Sequence, residues 1–187
     1  TKSDLVARDI DILKSIQLHS PVLIKITVTT CDDELCSRIE PSVASSSRRF
    51  AAIEELSSNG IFAGILLMPV LPFLEDNEEN ISGIIQRAHQ SGARFIYAAF
   101  GVTLRQNQRD WYYNKLDGSF PGLREKYIKQ YGSTYSCHSP RAKELWSFFG
   151  KECENYGILY RMEDIIKAYR KGFEESQLSL FDLESMR

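Results

Sequence analysis

The sequence predicts an α/β protein: a segment of a (β/α) barrel with about three parallel strands, plus a C-terminal helical subdomain. Strand-like and helix-like patterns alternate through the first two-thirds of the 187 residues, which implies parallel strands joined by crossover helices. Large aromatic side chains then become frequent. We expect the barrel segment over residues 1–104, the helical subdomain over 105–172 and an acidic tail over 173–187. An open α/β sheet would show the same alternation.

Local signals mark the first strand and the first three helices. Ser3 is the expected cap of a helix with an apolar stripe at residues 6–16. Residues 22–30 are rich in β-branched side chains and should form a strand. Acidic residues 32–34 suit the first turn of a second helix, where the helix dipole favours them. A third helix begins near residues 45–47.

Apolar runs and glycines mark the remaining elements. Residues 61–71 are apolar throughout, as in a strand that is buried on both faces. A helix with apolar positions at 81–88 ends at Gly92, and residues 95–100 follow as the third strand. Three more helices are expected at 123–131, 139–156 and 162–169. Because three strands leave unpaired edges, we expect the isolated chain to self-associate through them.

Composition narrows the range of functions. The chain is 43% hydrophobic and 26% charged, with a net charge of −2 and a pI near 6.0. This argues against a protein that broad electrostatics hold to nucleic acid. No apolar run approaches the roughly 20 residues that span a bilayer, and no signal-peptide pattern is present. The four cysteines lack the pattern of a disulfide scaffold, so a cytoplasmic location is expected. Because the chain opens at Thr1 without an initiator Met, we interpret it as a piece of a longer protein.

The first strand carries the most informative pattern. Its alternate apolar side chains are Ile24, Ile26 and Val28. The positions on the opposite face are Lys25, Thr27 and Thr29. Helices must cover the apolar face, so the polar face would line the lumen of a barrel, near the strand end where parallel α/β proteins bind ligands. Threonine is also a common strand residue, and Lys25 leaves open an aldolase-type enzyme with an amine nucleophile.

The second strand ends at Met68 and Pro69, and another proline follows at Pro72. Prolines remove backbone donors and stiffen the chain. We interpret this segment either as the apolar rim of a pocket for a nucleobase or another flat group, or as a rigid connection.

A basic and aromatic segment follows the third strand. Arg105 and Arg109 flank a stretch of amides, and Trp111 begins a run of three rings. Cations and rings together can contact phosphates and stack on bases, which makes this segment a candidate nucleic-acid surface. The alternative is a helix start whose rings pack inward.

The tail contains the five-residue segment Gln177, Leu178, Ser179, Leu180 and Phe181. It resembles the motif by which bacterial replication and repair proteins dock on the DNA sliding clamp, a polar anchor followed by apolar side chains that enter a pocket. The alternative is a tail that folds onto its own core. A clamp-binding tail would suit a non-catalytic scaffold in which the sheet only carries the tether.

Motifs of a self-contained hydrolytic, phosphate-binding or dinucleotide-binding site are missing from the sequence. Cys137 and His138 form a candidate ligand pair for a metal, but no second pair accompanies them.

Several segments together resemble radical S-adenosylmethionine enzymes of the spore photoproduct lyase, or DNA-repair photolyase-like, family. In chain order they are residues 1–9 (TKSDLVARD), 26–30 (ITVTT), 40–41 (EP), 52–56 (AIEEL), 68–72 (MPVLP) and 92–95 (GARF). The resemblance covers residues 1 to about 104 and corresponds to the C-terminal half of such enzymes.

This resemblance implies a partial (β/α)₆ barrel and a parent enzyme that uses S-adenosylmethionine and a [4Fe–4S] cluster. Lys2, at the end of a strand that is missing here, would face the cofactor together with Thr27 and Thr29. Lys25, on the same face of the first strand, is a further candidate for cofactor binding. Met68 and Pro69 would line its adenine side. The parent would cleave the cofactor to a 5′-deoxyadenosyl radical that takes hydrogen from a substrate, with nucleic acid as one candidate.

The chain departs from the family in one decisive feature. The family holds its cluster with three cysteines spaced C-x3-C-x2-C on the first barrel loop, and this sequence has no such triplet. The cluster cannot bind without thiolates. We therefore expect the chain to be inactive alone, to bind neither cofactor nor cluster, and to need the missing N-terminal half of the barrel as its partner.

Overall fold

The computed structural model describes residues 1–173, which form a mixed α/β fold. A 3-10 helix at Asp4–Asp9 comes first. The eight α-helices of the described residues are α1 (Ile10–Gln17), α2 (Asp33–Ile39), α3 (Ser46–Ser58), α4 (Glu78–Gln90), α5 (Gln106–Ser119), α6 (Leu123–Tyr131), α7 (Ala142–Asn155) and α8 (Met162–Arg170). Within residues 1–173, none of these helices has the length and apolar character that crossing a membrane requires.

Side-chain caps fix where several helices begin. The Ser3 hydroxyl accepts a hydrogen bond from Leu5 N–H at 3.1 Å, as the sequence predicted for the first helix. Asp32 accepts from the N–H groups of the first turn of α2, and Ser45 does the same for α3. Each cap satisfies a backbone donor that the helix leaves unpaired.

The three predicted parallel strands are confirmed. β1 (Leu23–Thr27), β2 (Phe62–Leu67) and β3 (Ile96–Ala98) lie in this order in one parallel sheet. Ile26 is paired with Ile65, so side chains of the same parity share a face across the sheet. The described residues form no closed barrel.

Single residues extend this sheet at both edges. The Thr1 amine donates to the Lys25 carbonyl at 3.0 Å, and Thr27 N–H donates to the Thr1 carbonyl at 2.8 Å. Parallel strands pair in this alternating way, so Thr1 lies alongside β1 as a strand residue would. At the other edge, Leu159 forms a parallel bridge with Phe95. These contacts occupy part of the edges through which we expected self-association.

The main apolar core lies between the sheet and helices α3, α4 and α7. β1 contributes Ile26 and Val28 to it, and β2 and β3 contribute alternate side chains in the same way. Lys25, Thr27 and Thr29 do not belong to this cluster. They alternate along the chain with Ile26 and Val28, so their side chains lie on the opposite face of the sheet, which α3, α4 and α7 do not cover. This agrees with the alternation predicted from the sequence.

Residues 104–137 build a second apolar cluster around three tyrosines of α5 and α6. β4 (Gly101–Thr103) and β5 (Ser136–His138), at the two ends of this segment, pair to form a small antiparallel sheet. The sequence predicted helices alone in this region. Strands of three residues are too short to give an alternating pattern, and β4 and β5 pair across more than thirty intervening residues.

Helices α7 and α8 return to the first sheet. Phe149 and Cys153 of α7 belong to the main core, and Tyr169 of α8 lies against Phe62 at the amino end of β2. The region after β5 therefore packs with the sheet, and only residues 104–137 form a separate layer.

Candidate functional site

A cleft of about 580 Å³ opens at the carboxyl ends of β1 and β2, between the sheet and α5. Its size falls within the roughly 300–1,000 Å³ that small-ligand sites occupy, and parallel sheets bind their ligands at this edge. Three residues with a predicted role at the cofactor line the cleft together: Lys2, Thr29 and Pro69. They come from the segment beside β1, from the end of β1 and from the end of β2.

The outer wall of the cleft is aromatic and comes from α5 and its end. Trp111, Tyr112, Leu116 and Phe120 line this side. The Tyr112 hydroxyl donates to the Tyr127 hydroxyl at 3.1 Å, which holds the ring in place. A wall of this kind contacts a flat group across its face.

Cationic side chains stand at the rim of the cleft. The Arg38 guanidinium lies 4.3 Å from the centre of the Phe120 ring, and the Lys115 ammonium lies 5.7 Å from that of Trp111. These cation–π contacts hold both charges beside the aromatic wall. The rim is therefore suited to an anionic group on a ligand.

A charged chain connects the cleft to the protein interior. Lys2 forms an ion pair with Glu40 Oε1, and Glu40 Oε2 lies 2.6 Å from a guanidinium nitrogen of Arg49. Arg49 is fully buried and also donates to the carbonyls of Thr27 and Ala44. Because a buried charge needs a partner, Arg49 fixes Glu40, and Glu40 in turn fixes Lys2 at the cleft.

Glu75, which no pattern in the sequence indicated, lies on the inner side of the cleft. Its side chain is fully buried, and Oε2 accepts a hydrogen bond from Leu71 N–H at 2.7 Å. Burial raises the pKa of Glu75 to about 8, against the opposing effects of the Thr29 hydroxyl and Leu71 N–H. The carboxyl is therefore mostly protonated at neutral pH.

The Asn80 side chain, at the start of α4, holds the backbone around Thr29 and Glu75 in place by hydrogen bonds. Its side-chain amide donates to the carbonyls of Thr29 and Glu75 at 2.8 and 3.0 Å, and its side-chain oxygen accepts from Cys31 N–H. One side chain thus joins the end of β1 to the loop that follows β2. The positions of Thr29 and Glu75 relative to each other depend on it.

The other predicted cofactor residues lie outside this cleft. Lys25 is exposed at mid-strand and has no ion pair among the described residues. Thr27 is buried beside Thr1. Met68 lines a neighbouring cavity of about 440 Å³, and Pro69 lines both this cavity and the cleft. The structure therefore unites three of the six predicted residues.

The basic and aromatic segment divides between the surface and the interior. Arg105 is exposed at the start of α5, and Trp111 is 64% exposed at the cleft. Arg109 instead turns inward, where its guanidinium donates to the carbonyls of Leu104 and Thr134. Its hydrogen bonds hold the segment before β5 against the start of α5.

The cysteines are dispersed through the fold. All four are free thiols, on α2, β5, α7 and the loop before α2. Residues 1–173 contain no group of three His, Cys, Asp or Glu side chains arranged to hold a metal ion. The predicted clamp motif, Gln177, Leu178, Ser179, Leu180 and Phe181, lies outside the described residues.

Comparison with known proteins gives relatives of modest similarity. No protein-family model matches the chain. Uncharacterized proteins of Mycobacterium tuberculosis and Mycobacterium bovis are 27% identical to it over 131 residues, which is 70% of this chain and 38% of theirs. An uncharacterized protein of Methanocaldococcus jannaschii is 36% identical over 78 residues, 42% of this chain and 29% of its own length.

The chain thus spans about two-fifths of the length of the mycobacterial relatives. Their descriptions name no activity, ligand or partner. The functional interpretation therefore depends on the geometry of the cleft and on the resemblance described above.

Proposed function

We propose that this chain is the C-terminal part of a radical S-adenosylmethionine enzyme and that the cleft is its share of the cofactor site. One observation carries the proposal: Lys2, Thr29 and Pro69, far apart in sequence, line the same cleft at the carboxyl end of the sheet. The resemblance assigns all three to the cofactor, and this edge is where parallel α/β proteins bind ligands.

The order of the strands supports a barrel segment. Doubly wound sheets reverse their strand order at a switch point, whereas β1, β2, β3 and the bridge at Leu159 follow one another in chain order. Helices α3, α4 and α7 pack on the same face. Thr1 takes the position of a strand residue beside β1, so a strand ending there would extend the barrel. In this proposal that strand belongs to the N-terminal half.

The residues of the cleft fit S-adenosylmethionine chemically. The Lys2 ammonium can pair with a carboxylate, the Thr29 hydroxyl can hydrogen-bond to a polar group, and Pro69 can contact the face of the adenine ring. The cofactor, once bound and reduced, supplies hydrogen-atom abstraction. The role of this chain is to bind and orient it, with Glu40 and Arg49 holding Lys2 in place.

The residues present do not fit the iron–sulfur cluster. The thiols of the described residues are dispersed, and neither a C-x3-C-x2-C triplet in the sequence nor a three-residue metal group among residues 1–173 is found. Thiolates for the cluster would have to come from the N-terminal half. Turnover by this chain alone is accordingly not expected.

Titration calorimetry with S-adenosylmethionine tests the proposal on the 187-residue chain. Because only part of the site is present, we now expect weak binding, near-millimolar, in place of the sequence-based expectation that this chain binds no cofactor. Thr29→Val removes a hydroxyl with little change of shape and should weaken binding about tenfold.

The matched control is Thr103→Val, an exposed threonine at the end of β4 that does not line the cleft, which should bind like the wild type. Equal losses in both variants, or no heat of binding in the wild type at several times the expected dissociation constant, would overturn the proposal.

A further inference from the structure

One carboxyl oxygen of Glu75 is buried without a hydrogen-bond partner among the described residues. Oε2 accepts from Leu71 N–H. The Thr29 hydroxyl lies near the carboxyl and opposes the rise in its pKa, but neither it nor any other group of residues 1–173 forms a hydrogen bond of normal geometry with Oε1. Glu75 is fully buried and lines the cleft. An unpartnered buried oxygen costs free energy that a leucine at this position would avoid.

Glu75 is not part of a structural ion pair within residues 1–173. The charged and titratable side chains around it come from three elements: Lys2 beside β1, Glu40 after α2 and Tyr112 on α5. Lys2 and Glu40 pair with each other. Arg38 and Lys115 contact aromatic rings at the rim. Among the described residues, no cation forms a salt bridge with Glu75.

The unpaired oxygen belongs to a carboxyl that favours the protonated state. Since Oε2 accepts the Leu71 N–H, the proton of the neutral acid resides on Oε1, which then presents an O–H donor. The cleft beside it is lined by apolar and aromatic side chains, among them Leu71, Leu74 and Tyr112. Such walls suit a flat ring and exclude the water that would otherwise satisfy this donor.

We propose that protonated Glu75 binds a flat nitrogen heterocycle, by donating from Oε1 to an uncharged, pyridine-type ring nitrogen while the ring lies against the aromatic wall. Adenine and cytosine have such a nitrogen. This inference shares its cleft with the proposed function but does not require that the ligand be a cofactor. The heterocycle is either the adenine of S-adenosylmethionine or a base of the substrate.

Adenosine binding at pH 6 and pH 9 tests the inference. Burial raises the pKa of Glu75 to about 8, so only about a tenth of the free protein is protonated at pH 9 and affinity should fall about tenfold. Burial also raises the pKa of Tyr112 to about 12, above this range. Adenosine does not change charge between these pH values.

Two substitutions distinguish the loss of the hydrogen-bond donor from a loss of folded structure. In Glu75→Gln the amide oxygen can accept from Leu71 N–H while the amide nitrogen donates to the ring, so binding should persist and lose its pH dependence. Glu75→Leu removes the donor and should weaken binding about tenfold at pH 6. Glu55→Gln, on the exposed face of α3, is the matched control and should keep the wild-type pH profile. Thermal melting confirms that each variant is folded.

The choice of ligand identifies the source of the heterocycle. Uridine has no pyridine-type nitrogen and should bind at least tenfold more weakly than adenosine. If adenosine binds to the chain and S-adenosylmethionine does not, this inference is supported and the proposed function is refuted. A wild-type affinity that is independent of pH, or a Glu75→Leu variant that binds like the wild type, would overturn the inference.

Discussion

Glu75 makes the stability of the folded chain depend on pH. Its pKa is raised to about 8 in the fold, whereas an unfolded chain ionises near the ordinary value of about 4.3. Between these values the folded state holds a proton that the unfolded state has released. The free energy of unfolding is therefore not reduced by ionisation of Glu75 below about pH 4. It falls as the pH rises towards 8, by about 1.4 kcal/mol per pH unit at most.

Urea unfolding of wild type and Glu75→Gln at pH 5, 6.5 and 8 measures this effect. The glutamine variant cannot ionise, so its advantage in free energy of unfolding over the wild type should grow with pH. An advantage that stays constant between pH 5 and pH 8 would show that Glu75 does not titrate as described. Glu55→Gln again serves as control, because its side chain is exposed.

Arg49 shows how a residue remote from the cleft can define it. Its guanidinium contacts Glu40 and backbone carbonyls at the end of β1 and before α3. Glu40 belongs to one of the segments, residues 40–41, on which the proposed relationship to radical S-adenosylmethionine enzymes depends. The structure gives that segment a physical role, since Glu40 links a buried cation to the exposed Lys2.

At the scale of elements, the close packing of β2 on β3 depends on Gly64. A Cβ atom at this position would lie 2.4 Å from the Phe95 ring and 2.5 Å from the Phe95 carbonyl oxygen. Backbone cannot move aside as a flexible side chain can. Gly64→Ala should therefore lower the free energy of unfolding by about 1–3 kcal/mol.

The control for this substitution is Gly118→Ala on α5, where an added Cβ meets nothing within 4 Å. Alanine is the better helix former, so this variant should be about as stable as the wild type or more stable by up to about 1 kcal/mol. Equal effects of the two substitutions in chemical unfolding would contradict the description of the sheet.

Elements with strong local signals were predictable, and those made by long-range contact were not. α6 begins and ends where the sequence indicated, and β1 to β3 follow from β-branched and apolar runs. The β4–β5 sheet was missed because short strands carry little pattern. The inward turn of Arg109 was missed because its acceptors lie at residues 104 and 134, whose proximity only the fold establishes.

The same distinction applies to the candidate site. The resemblance indicated Lys2, Thr29 and Pro69, and strand parity indicated the face of Thr29. Neither could indicate Glu75, because its unpartnered oxygen results from the packing of α5, the loop after β2 and the end of β1. The aromatic wall likewise comes from a helix that the sequence analysis treated as a nucleic-acid surface or a packed helix start.

At the scale of the whole molecule, the cleft lies where two layers meet. Tyr127 of the second cluster donates to the Pro72 carbonyl after β2 at 3.1 Å, and Ser139 lies 2.5 Å from a carboxylate oxygen of Asp76. These bonds fix residues 104–137 over the carboxyl end of the sheet. The aromatic wall and the polar floor of the cleft are thereby held opposite each other.

Photoaffinity labelling with 8-azido-S-adenosylmethionine, followed by peptide mapping, tests the central claim that this cleft binds the cofactor. We predict labels within residues 68–75 and 111–120, suppressed by excess S-adenosylmethionine and reduced in Thr29→Val. A second cavity, of about 540 Å³, lies at the opposite end of the sheet and is lined by Phe62, Arg94 and Tyr169. Labels concentrated there, or labels that excess S-adenosylmethionine leaves unchanged, would contradict the account.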